Sequence, residues 1–296
     1  MSTPKALGGD FLGRFREIVS DPLNLLIERS PNAGHVEDGF VTLHNGLCVP
    51  LSGKASYYGE FSNILVINRG VHEPLEEFVF QEVLRRLPSA PRILELGAYW
   101  GHYSMWLKTL FPDGLAWLVE PDERHLNVGR ANFKRNRLDG EFIQGFVGRG
   151  QFEVDAFLAE RGIAKLDILH ADIQAHELNM LEGAAEALGS QIVDYVFVST
   201  HSQALHHSVC EQLERFGYRV EVSSDFEVQS TSFDGLVFAC LPSKSVFEDF
   251  ALLGREEIYS STPAQLVDYI EACKRSRERA SAGPTRGDLR QSSPQA

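Results

Sequence analysis

The segment Ile93–Ser104 reads ILELGAYWGHYS and is the most informative stretch of the chain. An apolar run leads into Glu95 and then into a turn that contains Gly97 and Gly101, after which a helical pattern begins. Glycines allow the backbone to turn sharply and to approach a ligand closely. Such turns lie at the carboxyl edge of parallel sheets, where ligands bind. The stretch therefore predicts a strand, a ligand-binding turn and a helix.

The spacing of the two glycines distinguishes between two classes of cofactor. A dinucleotide needs the pattern GxGxxG, so that backbone amides and a helix N-terminus can meet its pyrophosphate. This chain has GxxxG instead, with the bulky Tyr99 and Trp100 inside the turn. Those side chains would crowd a pyrophosphate, which S-adenosylmethionine does not have. The turn favours S-adenosylmethionine over NAD, although glycine turns after strands also occur without any ligand.

The next predicted strand supports a nucleoside-containing cofactor. Residues 116–119 are apolar and are followed directly by Glu120 and a proline. An acid at the end of the second strand of a βαβ unit can accept hydrogen bonds from ribose hydroxyls. The residues predicted to bind the cofactor are Glu95, Gly97, Tyr99, Gly101, Glu120 and Asp172.

Composition limits the class of protein and its partners. A chain of 296 residues with 43% hydrophobic content can bury one large core with a smaller appendage. Its four cysteines are far apart and form no CxxC pair, which disfavours a disulfide framework and a thiolate zinc site. The net charge of −13 would repel phosphate backbones, so we do not expect a nucleic-acid partner. The absence of an apolar leader and of a long apolar run predicts a cytoplasmic protein without a membrane segment.

Alternating apolar runs and helical patterns predict an open α/β sheet with helices on both faces. Two more predicted strands follow, separated by a polar turn. The result is a mostly parallel seven-stranded sheet. Its strands are expected near residues 92–96, 115–119, 141–146, 166–171, 193–199, 218–222 and 236–240.

The rest of the chain departs from this alternation. Residues 1–72 are predicted to form an N-terminal α+β cap, in which Phe40–Leu43 and Ile64–Ile67 read as strands. Residues 73–255 contain the sheet, and 256–280 include a C-terminal amphipathic helix. Residues 281–296 are rich in Ser, Gly, Pro and Gln and are predicted to be disordered.

Ionisable residues crowd the end of the predicted fourth strand, in the block LDILHADIQAHE over residues 166–177. Strand alternation puts His170 and Asp172 on one face. The following strand ends just before His201, and neighbouring strands lie only about 5 Å apart. Asp172 and His201 should therefore be near neighbours at the carboxyl edge of the sheet.

Residues 90–241 resemble the FkbM-type family of S-adenosylmethionine-dependent methyltransferases. The resemblance is carried by the ELGAxxG turn, the VEP strand end at Glu120, the block over residues 166–177 and the late LxxxGY over residues 213–218. It implies a Rossmann-like class I methyltransferase fold for residues 73–255. It also implies methylation of hydroxyls on sugars, polyketides and other natural products. The chain departs from the usual family pattern at Tyr99, His170, Gln174 and Ala175.

Methyl transfer from a sulfonium mainly requires that the acceptor oxygen be aligned and its proton removed. Two mechanisms stay open for the predicted catalytic residues Asp172, His201 and His170. In one, His201 is the general base, with a pKa near 6.5, and Asp172 orients it. In the other, Asp172, His201 and either His170 or His176 bind a divalent metal that gathers two oxygens of the acceptor.

The predicted function is O-methylation of a small-molecule acceptor. N-methyl transfer and a non-catalytic cofactor-binding module are the alternatives, and an NAD-dependent oxidoreductase is the weakest of them. Further candidates for the acceptor pocket lie in and beside the cap, whereas two histidines at the start of a later helix are expected at the surface. The pocket candidates are Tyr57, Tyr58, His72 and Glu73, and the surface histidines are His206 and His207. The sequence does not indicate an oligomeric state.

Overall fold

The computed structural model describes residues 11–282, and these begin with a segment of short helices and strands that corresponds to the predicted cap. Its regular elements are α1 (Phe11–Ser20), β1 (Val36–Glu37), β2 (Phe40–Thr42), β3 (Cys48–Pro50) and α2 (Ile64–Ile67). The three strands form a small antiparallel sheet. The 3-10 helix Pro22–Leu25 begins after Asp21, whose side chain accepts a hydrogen bond from the Leu23 amide.

The prediction of a strand at Ile64–Ile67 is wrong, because these residues form helix α2. The helix directly continues the 3-10 helix Gly59–Asn63, and the Asn68 amide donates to the Ile64 carbonyl at 2.8 Å. Ile64 and Leu65 are buried, whereas Ile67 is 59% exposed. A run of four apolar residues is too short to show whether its period is that of a strand or of a helix.

The main sheet follows the cap in the sequence. Helices connect most of its consecutive strands. The elements after the cap are α3 (Pro74–Leu84), β4 (Arg92–Leu96), α4 (His102–Leu110), β5 (Leu115–Glu120), α5 (Glu123–Arg135), β6 (Glu141–Gln144), α6 (Val154–Glu160), β7 (Leu166–Ala171), α7 (Glu177–Glu182), α8 (Ala185–Gly189), β8 (Val193–Thr200), α9 (Gln203–Arg215), β9 (Arg219–Ser224), β10 (Gly235–Cys240), α10 (Arg255–Ser260) and α11 (Pro263–Ala282). The seven strands lie in the order β6-β5-β4-β7-β8-β10-β9. Strands β4 to β8 pair in parallel, and β10 is antiparallel to both β8 and β9. The predicted fold class, a mostly parallel seven-stranded Rossmann-like sheet, is confirmed.

The sheet is buried on both faces, as expected for parallel strands that are covered by helices. On one face, Ile93 and Phe197 belong to a core that also contains Val41 and Leu65 of the cap. On the other face, Leu94 and Val196 pack in a second core with residues of α6 to α9. The cap and one face of the sheet therefore share a single hydrophobic core, with α3 entirely buried within it.

The chain order places the ligand crevice of the sheet. Strands β5 and β6 extend the sheet to one side of β4, while β7 and β8 extend it to the other side. Ligands of open α/β sheets bind at such a switch point, beyond the carboxyl ends of the strands.

At the other end of the chain, residues 283–296 of the predicted tail lie outside the described residues. Among the described residues, no helix combines the length and apolar character that crossing a membrane requires.

Candidate functional site

The glycine turn lies at this switch point and is fixed by close contacts. Gly97 has a φ of 72°, and a Cβ placed on it would lie 1.8 Å from the carbonyl oxygen of Asp172. Gly101 has a φ of 77°, and its Cβ would lie 2.9 Å from the Phe133 ring. The amide of Gly97 donates to the Val119 carbonyl at 2.8 Å. Both positions therefore require glycine, and the turn is held between β5 and the end of β7.

Glu120 ends β5 beside this turn, with its side chain only 8% exposed. Its carboxylate accepts hydrogen bonds from the backbone amides of Tyr99 at 3.1 Å and Asp122 at 3.0 Å. The hydrogen bond with this carboxylate raises the pKa of His125. The Tyr99 hydroxyl in turn donates to the carbonyl of Ser56 in the cap at 3.0 Å. Glu120 thus has a fixed position next to the turn, and Tyr99 connects the turn to the cap.

Glu95 lies beneath the turn and bonds to the protein itself. It is 3% exposed, and one carboxylate oxygen accepts a hydrogen bond from the Ser104 amide in the first turn of α4 at 2.9 Å. Burial raises the pKa of Glu95. In the sheet it is paired with His170 of β7. Its predicted contact with the cofactor stays a prediction, while the observed bond holds the start of α4.

An acid–histidine cluster forms where β7 and β8 end. Asp172 Oδ1 lies 3.2 Å from His201 Nε2, so the structure brings the two predicted residues together. A third residue, Asp234, places its Oδ1 3.4 Å from the same nitrogen. One ligand-type atom from each of the three residues lies within 4.8 Å of those of the other two. We refer to Asp172, His201 and Asp234 as the acid–histidine cluster.

Sequence reasoning missed Asp234, which immediately precedes β10. Strand β10 runs antiparallel to β8, and Gly235 is paired with Thr200. The start of β10 therefore meets the end of β8, next to His201. An acid directly before the first residue of an antiparallel closing strand was the signal that could have identified it.

The other side of the His201 ring is held by Glu177, the first residue of α7. Glu177 Oε1 lies 2.6 Å from His201 Nδ1, and this carboxylate is 0% exposed. The Gln174 side-chain amide lies 2.7 Å from Nε2. Burial lowers the pKa of His201, but Asp172, Glu177 and the charge of Asp234 outweigh burial and raise it to about 11. A protonated His201 cannot accept a proton near neutral pH.

The structure does not bring His170 or His176 into this cluster. His170 is buried in β7, and its Nε2 lies 2.6 Å from Glu76 Oε1. The ring of His176 packs against Phe146, with the ring centroids 4.6 Å apart. Among the described residues, no group of potential metal ligands combines either histidine with Asp172. The roles predicted for them remain predictions without support from this geometry.

Aromatic side chains of the cap stand next to the glycine turn. The Tyr57 ring lies 5.1 Å from the Trp100 ring, and the Tyr58 ring lies 5.4 Å from the Tyr99 ring, measured between centroids. Burial raises the pKa of Tyr57 well above its usual value, and nearby negative charges, including those of Asp234 and Asp172, raise it further. The cap tyrosines thus lie within electrostatic reach of the acid–histidine cluster.

The strand order, the single antiparallel strand in the main sheet and the turn at the switch point are those of the Rossmann-like fold of class I methyltransferases. Residues 97–220 match the family model described as the methyltransferase FkbM domain. This range includes the glycine turn, Glu120, Asp172 and His201. The predicted resemblance to the FkbM-type methyltransferase family is therefore confirmed. A comparison with curated proteins found no match.

Several solved structures align loosely with the chain. The O-methyltransferase from Bacillus cereus in complex with SAH is 17% identical, with 58% of this chain and 82% of that chain covered and a TM-score of 0.42. Precorrin-6y C5,15-methyltransferase from Geobacter metallireducens is 14% identical, with 56% and 88% covered and a TM-score of 0.41. TrmK from M. capricolum is 12% identical, with 66% and 81% covered and a TM-score of 0.41.

Proposed function

We propose that this protein is an S-adenosylmethionine-dependent O-methyltransferase that methylates a hydroxyl of a small molecule, bound at a divalent metal ion in the acid–histidine cluster. The observation that carries the proposal is the contact between Gly97 and Asp172. This contact supports the proposal because the glycine turn, where we expect the cofactor, lies directly against the backbone of a residue of the cluster. A methyl donor held at the turn and an acceptor held at the cluster would be neighbours.

The residues of the turn fit S-adenosylmethionine. Gly97 leaves the backbone without a side chain where it passes Asp172, and Glu120 is fixed at the end of β5. A carboxylate can accept about four hydrogen bonds, so the two amides and the His125 ring that Glu120 already binds leave capacity for a ribose hydroxyl. The turn from Gly97 to Gly101 would contact the rest of the cofactor. When bound, S-adenosylmethionine supplies a methyl group that its sulfonium already activates.

The cluster has the chemistry of a metal site. A histidine that binds a metal usually donates its other ring N–H to a carboxylate, which fixes the tautomer. Glu177 is placed to accept that hydrogen bond from Nδ1 of His201, which turns Nε2 toward Asp172 and Asp234. Two carboxylates and one imidazole suit Mg²⁺, Mn²⁺ or Fe²⁺. When bound, the ion supplies positive charge next to the acceptor hydroxyl.

The alternative in which His201 is the general base is disfavoured by its surroundings. Three carboxylates lie around the imidazole of His201. Without a metal they raise its pKa to about 11, so the ring is protonated near neutral pH. A divalent ion would replace that proton and balance the two carboxylates that face Nε2. The proton of the acceptor hydroxyl can then pass to a carboxylate oxygen of the cluster.

Calorimetry separates the two parts of this proposal. The chelated protein is titrated with S-adenosylhomocysteine and then with Mn²⁺, together with Asp234→Asn and, as a control, Glu182→Gln on the exposed end of α7. We expect all three proteins to bind S-adenosylhomocysteine, and we expect Asp234→Asn to lose the heat of Mn²⁺ binding. A wild-type protein that does not bind S-adenosylhomocysteine would refute the methyltransferase assignment. Equal Mn²⁺ binding by Asp234→Asn would refute the metal site.

The class of acceptor is tested by turnover. A panel of acceptors that carry either hydroxyl or amine groups is incubated with S-adenosylmethionine, and the release of S-adenosylhomocysteine is measured. We expect S-adenosylhomocysteine to be released with hydroxyl acceptors, and we expect chelation to abolish this release. Release with amines alone, unaffected by chelation, would identify an N-methyltransferase instead.

A further inference from the structure

A second group of potential metal ligands lies where the cap meets the glycine turn. His44 follows β2, Glu77 lies in the first turn of α3, and His102 is the first residue of α4. Their exposed fractions are 1%, 0% and 2%. One ligand-type atom from each residue lies within 4.8 Å of those of the other two. Three separate segments thus converge on one buried point, which we call the buried cluster.

His102 is the most unusual member of the buried cluster. Neither of its ring nitrogens has a hydrogen-bond partner among residues 11–282. Its ring is enclosed by the rings of Trp100 at 5.2 Å and Tyr103 at 4.9 Å, measured between centroids. A buried polar group without a partner is destabilising, and a metal ion would give this ring a partner.

The two oxygens of Glu77 have different surroundings. Oε1 lies 2.6 Å from His72 Nδ1 and accepts hydrogen bonds from the amides of His72 and Glu73. Oε2 lies 2.8 Å from His44 Nε2, yet neither of these two atoms has a partner with the alignment of a hydrogen bond within the described part of the chain. One oxygen is therefore held by the protein, while the other faces the buried cluster.

From this geometry we propose that His44, Glu77 and His102 bind a zinc ion that fastens the cap to the glycine turn. Two imidazoles and a carboxylate are a zinc donor set. His72, whose Nδ1 lies 2.6 Å from the other oxygen of Glu77, would orient that ligand from outside, as outer partners of metal sites do. His102 follows Gly101 directly, so the ion would hold the start of α4 next to the turn.

The proposal is independent of the acid–histidine cluster, because the two groups share no residue. The acid–histidine cluster combines two carboxylates with one imidazole and is partly exposed, whereas the buried cluster combines two imidazoles with one carboxylate and is closed to solvent. A closed site of this kind is structural, since it leaves no room for an acceptor. Zinc would enter as the chain folds, because binding and folding are coupled at such sites.

To test this, the full chain is chelated, unfolded in denaturant and refolded with and without Zn²⁺. Bound zinc is measured by mass spectrometry of the metal, and the thermal midpoint of unfolding is measured separately. His102→Phe keeps a flat ring of similar size but removes the ligand. Asp234→Asn is the background for this test, because the acid–histidine cluster of the wild type would also bind zinc. We expect one zinc ion per chain in Asp234→Asn, none when His102→Phe is added to it, and a midpoint that rises with Zn²⁺ only where zinc binds.

Two results would overturn the proposal. One is a refolded Asp234→Asn variant without zinc, which would make the buried cluster an internal polar network. The other is a double variant, Asp234→Asn with His102→Phe, that keeps its zinc. If His102→Phe does not fold, His44→Gln replaces it. Substitution of Co²⁺ then gives a direct readout, because a tetrahedral site with nitrogen ligands produces strong visible absorption that Asp234→Asn should retain and His44→Gln should lose.

Discussion

Glu177 Oε1 lies 2.6 Å from Nδ1 of His201, and this buried carboxylate fixes the ring that faces Asp172 and Asp234. The contact joins the first residue of α7 to the end of β8, so the cluster is supported by a rigid element behind it. Outer carboxylates of this kind orient a metal-binding histidine and raise its affinity for the metal.

We expect Glu177→Gln to weaken Mn²⁺ binding by about 10–100-fold, because the amide keeps the size of the side chain but removes its charge. Calorimetric titration with Mn²⁺ measures the change, and Glu182→Gln on the same helix is the control. Unchanged affinity in Glu177→Gln would show that the carboxylate does not act on a metal through His201.

Glu120 should determine the affinity for the nucleoside part of the cofactor. Hydrogen bonds to charged groups contribute about 1.5–3 kcal/mol, and 1.4 kcal/mol corresponds to a factor of ten in affinity. Glu120→Gln should therefore weaken the binding of S-adenosylhomocysteine by about 10–100-fold. The matched control is Glu123→Gln at the exposed start of α5. Equal affinities of the two variants would remove Glu120 from the cofactor site.

Gly97 and Gly150 allow the effect of space to be separated from that of backbone conformation. Their φ values are 72° and 73°, but an added Cβ would lie 1.8 Å from the Asp172 carbonyl oxygen at Gly97 and would meet nothing within 4 Å at Gly150. Both alanine variants carry the strain of the left-handed region, which costs about 1–2 kcal/mol. Only Gly97→Ala must also displace the backbone of Asp172.

We expect Gly97→Ala to lose about 1–3 kcal/mol more unfolding free energy than Gly150→Ala, because overpacking adds about that amount. It should also lose binding of S-adenosylhomocysteine, which Gly150→Ala should keep. Urea unfolding and calorimetry measure the two effects. Equal stability and equal binding in both variants would show that the contact at Gly97 is not needed.

The sequence predicted the parts of the site that follow from the regular geometry of a sheet. Asp172 and His201 come after neighbouring parallel strands, so strand pairing predicts that they are neighbours, and the structure places their side chains 3.2 Å apart. Glu120 and the turn at Gly97 follow from the βαβ pattern in the same way. Regular pairing fixes the distances between strand ends, and a single chain is enough to reveal it.

The parts that the sequence did not predict depend on contacts that strand pairing does not determine. Asp234 reaches the cluster through an antiparallel strand that returns to β8 from a later part of the chain. His44 and His102 are far apart in sequence, and they meet because the cap folds onto the start of α4. No periodic pattern in either segment predicts this contact.

The burial of His206 is another feature that the sequence did not predict. The sequence places it at the start of a helix, where we expect a surface position, and this prediction is wrong because the residue is only 2% exposed. Its Nδ1 lies 2.9 Å from Thr200 Oγ1 and its Nε2 lies 2.8 Å from Ser223 Oγ. These hydroxyls belong to β8 and β9, on which α9 packs. Burial lowers the pKa of His206 to about 4.

This pKa makes the stability of the fold depend on pH. In the unfolded chain His206 takes up a proton below about pH 6.5, whereas the folded protein resists protonation down to about pH 4. The unfolded state therefore binds more protons in this window, and the contribution of His206 to stability is complete above pH 6.5 and decreases by at most about 3 kcal/mol as the pH falls. Urea unfolding of the wild type and His206→Gln at pH 7.5 and pH 5 measures the effect, with the exposed His207→Gln as the control. We expect a smaller loss of stability between the two pH values in His206→Gln than in the other two proteins, and parallel losses in all three would contradict the assignment of a buried neutral imidazole.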